Sequence, residues 1–312
     1  MRYIFGPVSS HRLGLSLGLD AVPRKTCNFN CLYCELGRTG RRSRRRAAHV
    51  PAAALLGELE AHLATHPAPE VLTVCGSGEP TLNSELEAII AGAKATGLPV
   101  ALLTNGSLFV EAGVRREALG ADIIMPSLDA ADDATLRRVN RPLGRLSVAD
   151  YVEGLAALSR RFSGRLLLEV MLVAQVNDSP GHLERLARLC RQIAPERVQL
   201  TTVLRPPAEE WARPVSGAAL AQALELLAGV CGCPVDVPPK VAACAGPKAE
   251  EVPGLREELL ALLERRPITA AQAALALGAA GAAVRGVLAG LRREGAVERR
   301  LHQGRPYWRR LS

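Results

Sequence analysis

The sequence has few aromatic residues and no long apolar run. Phenylalanine, tyrosine and tryptophan make up 3% of the chain, so any platform on which nucleic-acid bases stack would be sparse. No segment approaches the roughly 20 consecutive apolar residues that cross a bilayer. The first residues, MRYIFGPVSSHRLG, lack the apolar core of a secretory signal. We therefore expect a cytoplasmic protein without a membrane partner.

The sequence also lacks the cysteine density of a disulfide-rich domain. Its eight cysteines are spread over 312 residues, whereas disulfide frameworks belong to short secreted domains. An apolar fraction of 48% and a charged fraction of 22% argue against wholesale disorder. The length is sufficient for one large domain and a small one. The formal net charge of +8 favours encounter with polyanions but does not bear on the fold.

Three of the cysteines are concentrated in KTCNFNCLYCELG, residues 25–37. Cys27, Cys31 and Cys34 are spaced C-x3-C-x2-C, and no fourth ligand stands beside them. A closed zinc site takes four protein ligands, and so does a [4Fe–4S] cube that only carries electrons. Three thiolates on such a cube leave one iron open to a substrate or cofactor. The alternative is a zinc site that a distant cysteine or histidine completes.

Short β-branched runs alternate with helical patterns from residue 19 to about residue 230. The predicted strands are 19–25, 70–76, 99–105, 121–129, 165–175 and 197–203. The predicted helices lie near 51–65, 83–96, 111–118, 148–161, 181–193 and 216–229. This alternation predicts parallel βαβ units and an α/β fold. Six such units form a partial (βα)6 TIM-like barrel, which we place at residues 1–233, or an open wound sheet.

Polar and glycine-rich segments follow the predicted strands. The first strand runs into the cysteine loop, and the next three end in CGSGEP, TNGS and PSLD. In parallel α/β folds the chemistry takes place at the carboxyl ends of the strands. We therefore expect these segments to meet at one rim, next to the thiols.

The composition changes after the predicted barrel. Residues 234–253 are rich in proline and lysine and indicate a linker. Three helical patterns and a hairpin that turns at Gln303–Gly304 follow, the helices at 254–266, 269–277 and 282–295. Three helices and a basic hairpin predict a small C-terminal winged helix-turn-helix domain at 254–312.

The cysteine motif, followed one βα unit later by Gly-Glu-Pro, resembles the radical S-adenosylmethionine (radical SAM) superfamily. Over residues 3–210 the chain resembles a group of small Fe–S oxidoreductases related to the wyosine-base enzymes that modify tRNA. The segments that carry this resemblance are FGPVSSHRLGLSLGLD, KTCNFNCLYCELGRT, GSGEPTLN, TNGSL, PSLDA, NRP, VNDS and QLTTVLRPPAE.

The resemblance implies a [4Fe–4S] cluster held by Cys27, Cys31 and Cys34, with S-adenosylmethionine (SAM) bound at the open iron. An electron from the cluster, supplied by a donor such as flavodoxin or ferredoxin, would cleave SAM to methionine and a 5′-deoxyadenosyl radical. That radical would abstract hydrogen from a substrate, while the protein supplies orientation and a dry cavity.

Several residues at the expected rim are candidates for SAM binding. Glycines of the GSGEP segment allow a close backbone approach, and its carboxylate could pair with the SAM ammonium. The alternative role is loop packing for Tyr33 and a structural ion pair for Glu169. For the three residues after the third and fourth strands it is helix capping. The candidates are Tyr33, Gly78, Glu79, Asn105, Ser127, Asp129 and Glu169.

Other residues have weaker assignments. His11 and Arg12 could close the bottom of the barrel or reach the site, and we favour the structural role. Three residues of the last strand and its loop could contact adenine or the substrate: Gln199, Thr201 and Arg205. Isolated cysteines are expected to be buried as small apolar residues, as at Cys75 and Cys190. A second cluster is an alternative use of the remaining three cysteines, Cys231, Cys233 and Cys244.

Arginine is concentrated in two regions. Residues 38–46 contain six arginines, and residues 253–312 contain eleven arginines against five glutamates. A charge run is usually solvated, but beside the expected site it could bind phosphates of RNA or DNA. Our first hypothesis is a radical SAM enzyme that acts on a tRNA base or another nucleic-acid-derived molecule. The alternatives are an enzyme for a peptide or small metabolite that the C-terminal domain docks, and a redox-sensing DNA-binding regulator.

Overall fold

The structure is a computed structural model and describes residues 2–10, 12–238 and 254–311. Its strands pair mainly into one large sheet. In chain order they are β1 (Ile4–Ser10), β2 (Gly14–Asp20), β3 (Thr26–Cys27), β4 (Arg41–Arg42), β5 (Val71–Cys75), β6 (Val100–Thr104), β7 (Ile123–Pro126), β8 (Arg165–Leu172), β9 (Arg197–Thr202), β10 (Val235–Asp236), β11 (Val297–His302) and β12 (Arg305–Arg310).

The helices fall between the strands of the large sheet and again near the carboxyl end of the chain. They are α1 (Ala52–Leu63), α2 (Leu86–Lys94), α3 (Ala112–Ala118), α4 (Asp133–Val139), α5 (Val148–Ser159), α6 (Pro180–Ile193), α7 (Gly217–Cys231), α8 (Leu255–Arg265), α9 (Ala270–Ala276) and α10 (Gly281–Arg293). None of the helices in the described segments has the length and apolarity that crossing a membrane requires.

The large sheet has the strand order β1-β2-β5-β6-β7-β8-β9-β10. β1 runs antiparallel to β2, and each later neighbour is parallel to the strand before it. Helices cross between successive parallel strands, as the alternation in the sequence predicts. The strand interiors are buried on both faces, which explains their near-continuous apolar sequences. The prediction of an α/β fold built on parallel units is confirmed.

Two strands differ from the prediction. The first parallel strand is Gly14–Asp20, not 19–25, because Pro23 has no N–H to donate and the chain leaves the sheet there. The leader forms β1, which pairs with it. At the other edge, Val235–Asp236 joins β9, so the sheet reaches into the segment 234–253 that we interpreted as a linker.

Helix α4 was not expected from the sequence. It begins after Asp132, whose side chain accepts a hydrogen bond from Thr135 N at 2.8 Å, an N-cap arrangement that satisfies a free helix donor. The helix ends at Val139, and Val139 and Asn140 lie beside the cysteine loop. A seven-residue helix is too short for its apolar period to stand out in the sequence.

The C-terminal unit consists of α8, α9, α10 and the antiparallel hairpin β11–β12. These elements follow the three predicted helices and the predicted hairpin, whose turn lies at Gln303–Gly304. An isolated bridge joins Ile268, between α8 and α9, to Trp308 in β12. The apolar core of the unit also includes Val8 from β1, so the unit packs on the edge of the large sheet.

Candidate active site

The carboxyl ends of β5, β6 and β7 meet beside the loop that carries the three cysteines. Glu79, after β5, accepts hydrogen bonds from Thr104 and Asn105, which end and follow β6. Asn105 in turn points its amide at Cys27 Sγ, 3.7 Å away. The structure therefore brings together the polar segments that the sequence places after separate strands.

The cysteine loop is fixed mainly through its backbone. Asn30 N donates to Asn140 O, and Leu32 N donates to Val139 O, each at 2.9 Å. Within the loop, Cys34 N donates to the carbonyl oxygen of Cys31 at 3.2 Å. Because the loop is tied to the end of α4, the thiols have defined positions without help from their own side chains.

Amide groups surround two of the three sulfurs. Phe29 N donates to Cys27 Sγ at 3.3 Å, and Asn140 Nδ2 donates to Cys31 Sγ at 3.5 Å. Burial raises the pKa of all three thiols, that of Cys27 to about 12. A buried thiol with a raised pKa stays neutral unless a metal charge deprotonates it.

Three soft sulfur donors with amide N–H groups aimed at them fit an iron–sulfur cluster, whose potential such hydrogen bonds adjust. Within the described ranges, no three histidine, cysteine, aspartate or glutamate side chains are grouped as ligands of one metal ion. Thiolates that hold a cube bind three different irons, so they need not converge in that way. Cys27, Cys31 and Cys34 would hold the cluster.

Glu79 is buried, with 2% of its surface exposed, and its carboxylate is heavily hydrogen-bonded. Oε1 accepts from the Thr81 and Thr104 hydroxyls, each at 2.6 Å, and Oε2 accepts from Asn105 N at 2.7 Å. Burial raises the pKa of Glu79, and these hydrogen bonds oppose the rise. The Glu79 carboxylate therefore links the ends of β5 and β6 through hydrogen bonds. Its contact with SAM stays a prediction.

The glycines of the GSGEP segment make close contacts with the chain itself. A Cβ on Gly78 would lie 2.0 Å from the Thr26 carbonyl oxygen, and one on Gly76 would lie 1.8 Å from Asp20 Oδ1. Gly76 also has a φ of +133°, which side-chain-bearing residues rarely adopt. Only glycine lets this segment lie directly against the strand that leads to Cys27.

Asn105 lies between the cysteine loop and the next strand. Its Nδ2 donates to Asn28 Oδ1 at 2.8 Å, and its Oδ1 accepts from the Ser107 hydroxyl at 2.6 Å. The Tyr151 hydroxyl donates to the backbone carbonyls of Asn105 and Ser127. These contacts hold the ends of β6 and β7 next to Cys27.

Asp129, Tyr33 and Asn140 form a buried polar cluster beside Cys31. Asp129 Oδ2 accepts from the Tyr33 hydroxyl at 2.5 Å and from Asn140 Nδ2 at 2.7 Å, and Met171 N donates to Oδ1 at 2.9 Å. Burial raises the pKa of Asp129 to about 6, against the lowering effect of these hydrogen bonds. The three side chains thus order one another around the second cysteine.

Asn140 is a site residue to which the sequence reasoning assigned no role. Its signal was present, because Asn140 begins the NRP segment that carries part of the family resemblance. The carbonyl contact to Asn30 and the amide contact to Cys31 both arise from α4, which the sequence did not reveal.

Ser127 and Glu169 form an isolated parallel bridge between β7 and β8. The Glu169 carboxylate receives two hydrogen bonds from the Arg12 guanidinium, at 2.7 and 2.8 Å. Arg12 lies in the turn between β1 and β2, on the far side of the sheet order from β8. The sheet therefore curves enough for its two sides to face each other. Arg12 and Glu169 thus form an ion pair with each other; the structural role of Arg12 and a contact between Glu169 and SAM stay predictions.

The C-terminal unit lies against the same rim. Arg265 Nε donates to Asp20 Oδ2 at 2.8 Å, and Asp20 Oδ1 accepts from Ser77 N at 2.7 Å. Burial raises the pKa of Asp20, although Arg265 opposes it. Tyr307, in β12, donates its hydroxyl to Leu204 O at 3.2 Å, just after β9. The unit thus contacts the sheet at the ends of both β2 and β9.

The arginine run at residues 38–46 is partly committed to ion pairs. Arg38 pairs with Glu209, and Arg46 pairs with Glu117 and donates to the Thr81 carbonyl oxygen at 2.8 Å. The other four, Arg41, Arg42, Arg44 and Arg45, are exposed, and Arg42 donates to the Arg141 carbonyl oxygen at 2.8 Å. Arg205, after β9, pairs with Glu35 at 2.5 Å, so its position links β9 to the cysteine loop rather than to the barrel interior.

Among the cysteines outside the motif that the structure describes, no three side chains form a metal-ligand group. Cys231 is buried in the main core within hydrogen-bonding distance of Cys190. Cys233 packs at the edge of that core, and Cys244 lies outside the described residues. A second cluster is therefore not supported.

Comparison with known proteins agrees with the site. A family model described as the Radical SAM superfamily matches residues 22–212. A Helicobacter pylori protein named UPF0026 protein is 36% identical over 278 residues, which cover 88% of this chain and 87% of that protein. A Brachyspira hyodysenteriae protein named GTPase Obg is 36% identical over 236 residues. The match includes 75% of this chain but only 35% of that relative's length.

Solved structures show a similar fold at low sequence identity. A radical SAM methyltransferase from Sphaerobacter thermophilus superposes with a TM-score of 0.55 and 20% identity, over 71% of this chain and 66% of that chain. A structure of TYW1 with a lysine-pyruvate adduct bound gives a TM-score of 0.50 and 16% identity, over 72% of this chain and 76% of that chain. At these identities the likeness concerns the fold alone.

Proposed function

The chain belongs to the radical SAM superfamily, and we propose that its substrate is a nucleic-acid-derived molecule such as a tRNA base. Cys27, Cys31 and Cys34 would hold a [4Fe–4S] cluster, which would supply the electron for reductive cleavage of bound SAM. The observation that carries the enzymatic part is the set of three partly buried thiols inside the matched region, two of which receive amide donors.

The side chains around the thiols prepare the site for such chemistry. Asn140 and Asn105 orient donors toward the sulfurs, and Asp129 holds Tyr33 and Asn140 in place. Because these side chains are hydrogen-bonded to one another, they need to move little when the charge at the sulfurs changes. The cysteines are partly buried, which limits the access of water to the site and so reduces side reactions.

A nucleic-acid-derived substrate is supported by the exposed arginine side chains of the chain. Arg41, Arg44 and Arg45 are exposed after the cysteine loop, and Arg292 and Arg293 are exposed on α10. Exposed arginines at this density attract the phosphates of RNA. The same charges are compatible with an acidic peptide, which keeps the docking alternative available.

The C-terminal unit supports the same proposal through its order of elements. A helix, the bridge at Ile268, two further helices and a hairpin occur in the order found in winged helix-turn-helix domains. In that assignment α10 would be the helix that contacts nucleic acid, and its basic carboxyl end would face the phosphates.

SAM cleavage tests the enzymatic part. Anaerobically reconstituted protein with dithionite is expected to convert SAM to 5′-deoxyadenosine and methionine, measured by liquid chromatography and mass spectrometry. Single alanine variants of Cys27, Cys31 and Cys34 should lose both the cluster and the product. The matched control is Cys190→Ala, a buried cysteine outside the motif. Full activity in a motif variant would contradict the ligand assignment.

Binding of bulk tRNA across a salt series tests the substrate class. Each phosphate contact adds roughly 0.7 to 0.9 to the slope of log affinity against log salt. The double variant Arg292→Gln/Arg293→Gln should therefore reduce the slope by about 1.5, whereas Arg160→Gln, an exposed arginine on α5, should leave it unchanged. A flat salt response of the wild type would remove the nucleic-acid proposal and leave peptide or metabolite docking.

The regulator alternative makes a different prediction. A sensor needs no SAM turnover, whereas superfamily members are enzymes. If reconstituted protein left SAM intact while its affinity for DNA followed the oxidation state of the cluster, the regulator would replace the enzyme.

A further inference from the structure

A cleft between the cysteine loop and the C-terminal unit is lined mainly by cations. We call it the cationic cleft. Its volume is about 100 Å³, which is room for a small group rather than for a folded segment. The charged lining consists of five cations and two carboxylates: Arg24, Lys25, Arg266, Arg309, Arg310, Glu35 and Glu264.

Both carboxylates of the cationic cleft are already paired. Glu35 binds Arg205 at 2.5 Å, and Glu264 binds Arg310 at 3.0 Å. Arg309, another cation of the cleft, pairs with Glu298 of the neighbouring strand. Each carboxylate is therefore bound to one arginine, although the charge of Glu35 also partly compensates that of Arg266.

The three remaining cations have no acidic partner within the described parts of the chain. Arg24, Lys25 and Arg266 form no ion pair there, and none of their side chains donates a hydrogen bond to a described residue. The Arg24 Nε is buried without a partner. Burial lowers the pKa of Arg266 to about 10, and the nearby charge of Arg205 adds to this effect. Partly buried like charges are costly unless an anion compensates them.

We propose that the cationic cleft binds a phosphate group of the substrate. Phosphate carries several acceptor oxygens, and guanidinium groups bind it through paired, charge-assisted hydrogen bonds. Arg266 comes from the C-terminal unit, whereas Arg24 and Lys25 precede Cys27, so a bound phosphate would join the two parts of the molecule. The choice of RNA as a probe rests on the proposed function, but the phosphate site itself does not.

The surroundings of the cleft leave space for the group that carries the phosphate. Arg24 and Glu264 also line a neighbouring cavity of about 470 Å³, a volume typical of small-molecule sites. His49, on the wall of this cavity, has a buried Nε2 without a partner among the described residues. A nucleotide-sized group therefore has polar contacts available next to the phosphate.

Isothermal titration of the full-length, reconstituted protein with inorganic pyrophosphate tests the site. We expect saturable binding by the wild type and about tenfold weaker binding by Arg266→Gln, the usual effect of losing one charged hydrogen-bonding partner. Arg24→Gln should weaken binding similarly from the opposite wall. The matched control is Arg285→Gln, which removes an exposed arginine from the same C-terminal unit and should bind as the wild type does.

The melting temperature gives a second readout that does not depend on activity. Pyrophosphate should raise it in the wild type by mass action and should raise it less in Arg266→Gln. Because the Arg266 side chain donates no hydrogen bond to a described residue and its partly buried charge is costly, this variant should be at least as stable as the wild type without ligand. Equal pyrophosphate affinity of wild type and Arg266→Gln, or no saturable binding by the wild type, would overturn the proposal.

Competition identifies the source of the phosphate. If a short single-stranded RNA displaces pyrophosphate and Arg266→Gln weakens both, the site binds a polynucleotide. If Arg266→Gln weakens only pyrophosphate, the site binds a small phosphorylated molecule. If the wild type bound an acidic electron-transfer protein at this cleft but did not bind pyrophosphate, the proposal would be overturned. Formation of 5′-deoxyadenosine in the same preparations reports separately on the proposed function.

Discussion

At the scale of single residues, Asn140 connects two groups that the sequence presents separately. Its amide donates both to Cys31 Sγ and to Asp129 Oδ2. A donor to a ligand sulfur stabilises the reduced cluster, which carries more negative charge, and so raises the reduction potential. Asn140 is thus a positioning residue whose effect should be visible in the cluster itself.

We expect Asn140→Ala to lower the reduction potential of the reconstituted cluster by about 40 mV. This corresponds to a hydrogen bond of about 1 kcal/mol acting on a one-electron couple. A redox titration followed by electron paramagnetic resonance measures the change. Asn30→Ala is the control, because Asn30 lies in the same loop but its side chain accepts from Thr39 N. An equal shift in both variants would contradict the role of Asn140.

His182 is a buried titratable residue of α6, away from the thiols. It is 4% exposed, its Nε2 accepts from Ala131 N at 3.3 Å, and its Nδ1 lies 3.5 Å from Asp132. Burial lowers the pKa of His182 below 6.5, and Asp132 only partly opposes this. The unfolded chain therefore binds the proton at higher pH than the folded chain does, so acidification below pH 6.5 costs stability.

We expect the free energy of unfolding to fall more steeply in the wild type than in His182→Gln between about pH 6.5 and pH 5. One proton accounts for at most about 1.4 kcal/mol per pH unit. Urea unfolding at several pH values measures the two slopes. Parallel slopes would show that His182 does not titrate differently in the folded and unfolded states.

At the scale of elements, the β1–β2 turn and strand β8 are joined by Arg12 and Glu169. The side chains are 22% and 17% exposed, and the pair has two short N–O contacts. Such a partly buried, bidentate pair contributes more than a surface ion pair does. Its effect on stability separates the structural role of Glu169 from a role in SAM binding.

A double-mutant cycle tests the element-scale role. Arg12→Met and Glu169→Gln should each destabilise the protein, and the double variant should show a coupling energy of about 1 to 2 kcal/mol. Chemical denaturation measures the four proteins. Additive effects, together with a loss of SAM affinity only in Glu169→Gln, would return Glu169 to the role of SAM ligand.

At the scale of the whole molecule, the C-terminal unit packs directly against the large sheet near the candidate site. It buries Val8 of β1, pairs Arg265 with Asp20, and reaches Leu204 after β9. The contact at Asp20 matters most, because Asp20 also holds Ser77 beside the glycines of the GSGEP segment. Loss of the Arg265–Asp20 contact would therefore disturb the GSGEP segment, which lies next to Cys27.

We expect Arg265→Met to lower the free energy of unfolding by about 3 kcal/mol, because it leaves the Asp20 carboxylate buried without its charge partner. The pair is 9% and 10% exposed, so solvent screens it little. The second variant, Asp20→Asn/Arg265→Met, removes the unpaired charge and should recover part of the loss. Guanidinium unfolding measures both, and a loss below about 1 kcal/mol in Arg265→Met would contradict this coupling.

Local pattern was sufficient for much of the molecule. The apolar runs located the sheet strands from β5 to β9 within a few residues, because buried parallel strands are encoded by short continuous apolar segments. The spacing of Cys27, Cys31 and Cys34 predicts a metal centre with an open position, and the family match agrees with that prediction. Glycine at Gly76 and Gly78 marked a close backbone approach, although the structure shows the chain itself as the neighbour.

The sequence by itself determined the parallel strands from β5 to β9, the helices between them except α4, the cysteine motif and the family, because each of these resides in neighbouring residues. Only the tertiary structure decided which distant groups meet: Arg12 with Glu169, Asn140 with Cys31, and Arg265 with Asp20. These partners are separated by 157, 109 and 245 residues. Their contacts depend on the curvature of the sheet and the packing of the C-terminal unit, which no local pattern encodes.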